Sequence, residues 1–210
     1  MGPWSRQRVS TQLPSEANAE TVFRNAVQRS YNAGSWEQMR DPEILRARPY
    51  WMFDAIRDKA PLMFLHLGDL HYENIGSNAP HLFQAAYDEV LSQSRQLALF
   101  SNVATDYIID DHCYGVNNSN GTSTSRAACA TAYRNRVPHY PLPDSVGMCH
   151  SFDIGRVRFI VTDQRSAASL NSATDNASKT MLGAAQKAWF FNLLENSPDK
   201  LIVWVCPRHF

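Results

Sequence analysis

Residues Leu62 to Leu67 are apolar apart from His66, and Gly68-Asp69 follows them without a break. A run this short, bounded by Pro61 and a glycine, reads as a buried strand. An aspartate at the carboxyl end of such a strand stands where α/β sheets place ligand-binding and catalytic groups. Val103 to Ile109 repeats the arrangement and runs into Asp110-Asp111-His112, and Val157 to Thr162 runs into Asp163-Gln164-Arg165-Ser166.

Between these runs the spacing turns helical. Tyr50 to Asp58 carries Trp51, Met52, Ala55 and Ile56 at helical intervals, and Pro61 ends it. Pro80 to Leu97 predicts one helix with Leu82, Phe83, Ala86, Val90 and Leu97 toward one side. An Asn/Ser/Gly/Thr-rich loop over Asn117 to Ser125 precedes a helix near Arg126 to Arg136 and a turn from Pro138 to Pro143. Cys149 to Phe152 is expected to pair with Val157 to Thr162 through Gly155. Gly183 to Glu195 predicts a helix that buries Ala184, Ala188, Trp189 and Leu193, and Leu201 to Cys206 a last strand. Strands alternating with helices, without an internal repeat, predict the α/β class.

A chain of 210 residues, 44% of them hydrophobic, can bury one substantial core. Residues 1–45 mix Arg, Gln, Ser and Asn without sustained alternation and predict a polar extension ahead of a domain over 46–210. Twenty basic residues balance twenty acidic ones with no long run of either sign. That leaves no electrostatic footprint for nucleic acid or an anionic membrane. No apolar stretch approaches the ~20 residues that span a bilayer, and Met1 to Ser15 has no apolar signal core. Cys113, Cys129, Cys149 and Cys206 lack zinc-like spacing; they read as buried thiols, although an even count also permits disulfides.

The chemistry concentrates in two strand-end motifs. In Gly68-Asp69-Leu70-His71-Tyr72 the aspartate can bridge two cations, and a phenolate three residues on can add a ligand. Such oxygen and nitrogen donors suit Fe, Mn, Zn or Ca rather than a thiolate zinc finger. A turn in which Asp69 caps and Tyr72 packs fits the same residues. Asp110-Asp111-His112 can hold a second cation, and a histidine beside it can protonate a leaving alkoxide; a surface turn or helix cap is the competing reading. Asp163 and Arg165 read either as phosphate-facing groups or as an ion pair fixing a loop. His66 reads as a core imidazole, His71 and His209 have no partner identifiable from sequence, and Gln186 with Trp189 reads as helix–sheet packing.

Taken in order, these motifs resemble a known family. GDLHY is similar to the GDxxY motif of the PhoD-like alkaline phosphatases, and DDHCYGVNNSN resembles their DDH[DE]-x-G-x-N segment. VTDQRS resembles their DTRS strand, and MLGAAQKAWF, Met181 to Phe190, their MLGxxQxxWL helix start. The resemblance runs from about Tyr50 to Phe210. It implies a metallophosphoesterase-like αββα sandwich and hydrolysis of phosphomonoesters or phosphodiesters with two metal ions, iron and calcium, or Zn or Mn. It further implies metal ligation by Asp69, Tyr72 and Asp111, with Asp69 bridging, and catalytic roles for His112 as leaving-group acid and for Asp110 beside it. An extracytoplasmic or secreted setting also follows from the resemblance, although the chain as written carries no export signal.

Three features depart from the family pattern. No GSC-type motif precedes Asp69, Cys113 stands where an acidic residue follows the histidine, and the chain ends at Phe210 before the family's C-terminal metal motifs. The sandwich is therefore expected to be incomplete, and the site to be partial: weak for one cation and slow in turnover. A non-catalytic relic or fragment of the fold is the alternative. The last strand, left open, is expected to favour self-association.

Overall fold

Helix α1 (Trp51–Arg57) leads into strand β1 (Met63–His66), which pairs in parallel with β2 (Ala104–Tyr107), His66 lying beside Tyr107. Parallel neighbours need a crossover, made here by α2 (Pro80–Ser92) and α3 (Ser94–Asn102). A one-turn helix, α4 (Asp111–Tyr114), and α5 (Arg126–Arg136) then lead to the second sheet. In it β3 (His150–Ile154) and β4 (Val157–Val161) are antiparallel, and β5 (Leu201–Val205) joins β4 in parallel after α6 (Gly183–Glu195). Gly155, at φ 57°, supplies the positive φ of the two-residue hairpin loop between Ile154 and Val157. The computed structural model describes residues 51–143 and 147–208, and all of these fall in one compact unit. The extension expected over 1–45, and His209, lie outside the described residues. The architecture is mixed α/β on two small sheets, of order β1-β2 and β3-β4-β5.

Alternation along the strands decides what each face meets. Met63 and Leu65, with Leu67 beyond them, pack with Ile108, Phe152, Phe159, Val161 and Val205, so both sheets share one apolar cluster. Phe64, one residue out of phase, packs with Phe53 of α1 and Leu99 of α3. On the second sheet Trp204, out of phase with Val203 and Val205, meets Phe190 of α6 with ring centroids 5.0 Å apart. A third cluster joins Phe83 and Tyr87 of α2 to Ala128, Cys129, Ala132 and Tyr133 of α5, and closes over Tyr107 and Cys113. Each large side chain so buried is worth roughly 1.5–3 kcal/mol. These clusters hold the loops at the carboxyl ends of β1 and β2.

The single helix expected over Pro80 to Leu97 is two. Gln93 leaves the helical region at ψ 125°, and the Ser92 hydroxyl donates to the Glu89 carbonyl. The break has a packing cause. Helix α2 turns Phe83 and Tyr87 to α5, whereas α3 turns Leu99 to α1. On one continuous helix Phe83 and Leu99 would point about 160° apart. Leu82 and Leu97, expected inside, are exposed. Helix α6 has the expected bounds and a different face: Ala184 and Ala188 are exposed, Trp189 and Leu193 are half-buried, and its buried residue is Gln186. Apolar residues lie on every side of this helix, so spacing alone could not choose. Among the described residues β5 is paired on one side, leaving Leu201 65% and Trp204 40% exposed. No described helix is long and apolar enough to cross a membrane. No disulfide joins the four cysteines; Cys113, Cys129 and Cys149 are buried.

Candidate metal centre

The loop leaving β1 folds back beneath the end of β2. Gly68 sits at φ 105°, and a Cβ there would lie 2.7 Å from the Asp110 Cβ, so only glycine fits. Asp69, Tyr72 and Asn74 follow at φ 52°, 57° and 54°. Left-handed backbone at non-glycine residues costs on the order of 1 kcal/mol or more each, and such strain collects at functional sites. Leu70 and His71 anchor the loop in the core. The His71 ring stands edge-on to Phe83 and Tyr87, and burial pushes its imidazole down to about 4. Its backbone N–H donates to Cys113 Sγ at 3.3 Å. Cys113, where an acidic residue was expected, thus supports the loop from below. Burial, with the Asp69 charge, pushes its thiol up to about 12.

Asp69, Asp111 and His112 bring ligand atoms within 4.8 Å of one another. The His112 backbone N–H donates to Asp69 Oδ1 at 3.2 Å, and the Asn118 N–H donates to Asp111 Oδ2 at 2.6 Å. His112 Nδ1 lies 2.6 Å from Asn74 Oδ1. An amide oxygen only accepts, which assigns the proton of this bond to Nδ1. The Tyr72 ring lies flat on the imidazole, with centroids 3.7 Å apart and planes 18° apart.

Asp110 turns aside from this cluster. Its Oδ1 accepts from Arg165 Nε at 2.8 Å and Nη2 at 2.5 Å, and the same Nη2 lies 3.2 Å from Asp111 Oδ1. Arg165 therefore forms its ion pairs with the Asp110-Asp111 motif rather than with Asp163. Asp163, 1% exposed, accepts from the backbone N–H groups of Met148, Arg165 and Ser166 and from the Ser166 hydroxyl. The Gln186 amide brackets the Asp163 peptide, accepting from its N–H at 2.8 Å and donating to its carbonyl at 2.7 Å. Gln186 is thus structural, as its place at a helix start suggested. His66, with its ring edge-on to Phe64 and Tyr107, is pushed down to about 4 by burial and belongs to the core.

Asp69 stands beside two carboxylates that already hold the Arg165 guanidinium. Burial, then the charges of Asp110 and Asp111, push Asp69 up to about 7 against the opposing His112 N–H and Arg165. Burial raises Asp110 as well, and Arg165 opposes it. Surplus negative charge on hard oxygen donors, with an imidazole beside them, fits a di- or trivalent cation. Sequence reasoning missed Asn74, which is 38 residues from the histidine it orients. It also missed Asn118, which acts through its backbone and so leaves no side-chain signature.

A family model described as PhoD-like phosphatase matches residues 45–206. Among solved structures, that of PhoD superposes with a TM-score of 0.58 at 22% identity, covering 68% of this chain and 35% of that one. The structure of purple acid phosphatase PPD1 isolated from yellow lupin (Lupinus luteus) seeds gives a TM-score of 0.45 at 15% identity, covering 74% of this chain and 24% of that one. The chain thus spans about a third of the length of the first and a quarter of the second. No curated protein matches.

Proposed function

The chain belongs to the PhoD-like phosphatase family, and from that premise we propose that it is a metal-dependent hydrolase of phosphomonoesters or phosphodiesters. The observation that carries the reading is the convergence of Asp69, Asp111 and His112, whose ligand atoms lie within 4.8 Å of one another at two strand ends. In this reading Asp69, Tyr72 and Asp111 would hold the metal ions, iron and calcium, with Zn or Mn as substitutes. Cations held there would neutralise phosphoryl oxygens and make water a nucleophile near neutral pH. His112 would deliver the proton to the departing alkoxide from Nε2, its ring held through Nδ1 by Asn74 Oδ1. Tyr72 keeps the imidazole from rotating by lying against it. Asp110 holds Arg165, which in turn fixes Asp111.

Two sheets sharing one core, with helices outside each, support an αββα sandwich. The family match over 45–206 supports a domain over 46–210 behind the polar extension 1–45. The open edge of β5, with Leu201 and Trp204 exposed, supports self-association.

One observation favours a second reading, a non-catalytic relic of the fold. A two-metal centre takes roughly six to eight protein groups, whereas the described residues supply Asp69, Tyr72 and Asp111 as ligands in this reading, with His112 kept for the proton. Phosphate release from an aryl phosphate with Fe, Mn, Zn or Ca supplied separates the two. Turnover that Asp69→Asn abolishes supports the hydrolase, and cation binding without turnover supports the relic. With ferric iron, a phenolate charge-transfer band that disappears in Tyr72→Phe would support the tyrosine as ligand.

A further inference from the structure

A second concave surface adjoins the metal cluster. Residues Ser169 to Thr180 form a loop whose ends close on each other: the Ser169 N–H donates to the Thr180 carbonyl at 2.8 Å, and the Thr180 N–H to the Ser169 hydroxyl at 3.1 Å. Inside it Asn176 Oδ1 accepts the N–H and hydroxyl of Ser178. Ends tied together and packing from within are the marks of an Ω-loop, often a functional element. Between this loop and the segment after β5 lies a cavity of about 240 Å³ lined by Ser169, Asn171, Asp175, Lys179, Thr180 and Arg208. Two cations face one carboxylate there, and Met181 adds an apolar wall.

Hydrogen bonds tie this cavity to the cluster. Asn171 Nδ2 donates to Asn118 Oδ1 at 3.3 Å, and the Asn118 N–H donates to Asp111. The Arg208 N–H donates to Gln164 Oε1 at 3.2 Å, within the turn that carries Arg165. Burial and Arg165 lower the Arg208 pKa while Asp110 and Asp111 raise it, so its guanidinium lies within electrostatic reach of the motif. The cavity thus lies two hydrogen-bonded steps from Asp111.

We propose that the cavity is the subsite for the alcohol side of the substrate, and that it selects esters whose alcohol bears a second anionic group, phosphate or carboxylate, gripped by Lys179 and Arg208. The proposal rests on the phosphatase reading of the cluster. Lys179 supplies a point charge and Arg208 a planar fork, the two standard ways of holding anionic oxygens. An alcohol without a second charge would enter the cavity and leave both cations without a partner from the substrate. Lys179 Nζ and Arg208 Nη2 rest on Asn171, each 3.4 Å from its carbonyl or Oδ1, and an anionic group of the substrate would take over these long contacts.

The test compares two matched substrates on the metal-loaded protein, butane-1,4-diol bisphosphate and butyl phosphate. The wild type is expected to prefer the bisphosphate in kcat/KM. Lys179→Gln and Arg208→Gln should each cut that preference about tenfold, as expected for one charge-assisted contact, mainly through KM. Arg208→Lys should restore part of it. An unchanged preference in both glutamine variants overturns the proposal. Binding is read independently with butane-1,4-bisphosphonate against butylphosphonate by calorimetry. If neither ester is hydrolysed, the phosphatase reading fails, and calorimetry alone decides the subsite. Tighter binding of the bisphosphonate that both variants abolish supports it, and equal binding of the two probes overturns it.

Discussion

Two strand ends in this molecule carry an aspartate, three residues beyond β1 and two beyond β4, and the chain treats them oppositely. After β4, Asp163 is wrapped by three backbone N–H groups and a hydroxyl and is held from behind by Gln186. After β1, Asp69 receives the His112 N–H at 3.2 Å and faces two further carboxylates. Its backbone is left-handed as well. The difference teaches that a strand-end aspartate is not by itself a mark of chemistry; what marks it is charge the polypeptide does not balance. Arg165 couples the regions, since its backbone serves Asp163 while its guanidinium serves Asp110 and Asp111.

The sharpest break of this contrast is exchange of the two residues' roles by mutation. Asp69→Asn should lower phosphate release by roughly 10³-fold, as for loss of a bridging cation ligand, while the metal-free protein melts no lower than wild type because like-charge repulsion is relieved. Activity that survives, or a lower melting temperature, would show that Asp69 is an ordinary structural carboxylate. Asp163→Ala should act on folding, leaving buried donors at Met148, Arg165 and Ser166 unpaired. A loss of about 2–4 kcal/mol is expected from that mechanism, read from urea unfolding of the metal-free protein.

Acidity sharpens the comparison. Asp69 is raised from an unfolded value of 3.8 to about 7, so between those values the folded chain holds a proton that the unfolded chain has released. Its contribution to metal-free stability is therefore complete below about pH 4 and is lost as pH rises through 7. Bound cation replaces that proton, so the metal-induced rise in Tm should grow over the same interval. A metal increment that is flat with pH would remove Asp69 from the ligand set.

Asn74→Ala is expected to lower kcat about tenfold, typical of loss of a partner that orients a working histidine. Restoring an acceptor with Asn74→Asp should recover part of that loss in kcat. The smallest effect belongs to Asp153, on the strand pair opposite Arg158. The Arg158 hydrogen bond, aided by Lys200, holds its carboxyl well below the usual range. The group is exposed, so Asp153→Asn should cost under about 1 kcal/mol. That contribution exists above pH 4 and fades as pH falls further.

Sequence reading succeeded where a physical rule is local. Leu62–Leu67 yielded β1, since a short apolar stretch between proline and glycine has few other solutions, and the β-branched and aromatic residues of Val103–Ile109 yielded β2 despite Asp106 among them. Helix α5 and the β3–β4 hairpin likewise follow from spacing and from Gly155. It faltered where a choice depends on partners. The turn at Gln93 exists because Phe83 and Leu99 serve different clusters, and α6 turns Gln186 inward because the Asp163 peptide needs both ends of its amide. In the candidate site, the residue types at Asp69, Asp110, Asp111 and His112 are legible from the motifs. The attachments of Arg165 and Asn74 are tertiary and were not.

The thiol at Cys113 gives these arrangements a clock. The His71 amide rests on its sulfur, directly below the loop that carries Asp69 and Tyr72. The sulfur is fully buried and remains protonated at neutral pH, so iodoacetamide can reach it only when that loop lifts. Cys206, half-buried just beyond β5, has no such cover. Peptide masses sampled over hours would give the alkylation rate at Cys113 relative to Cys206, and hence the frequency with which the loop opens. The same ratio, taken with and without a saturating cation, would time how firmly an occupant pins the loop shut.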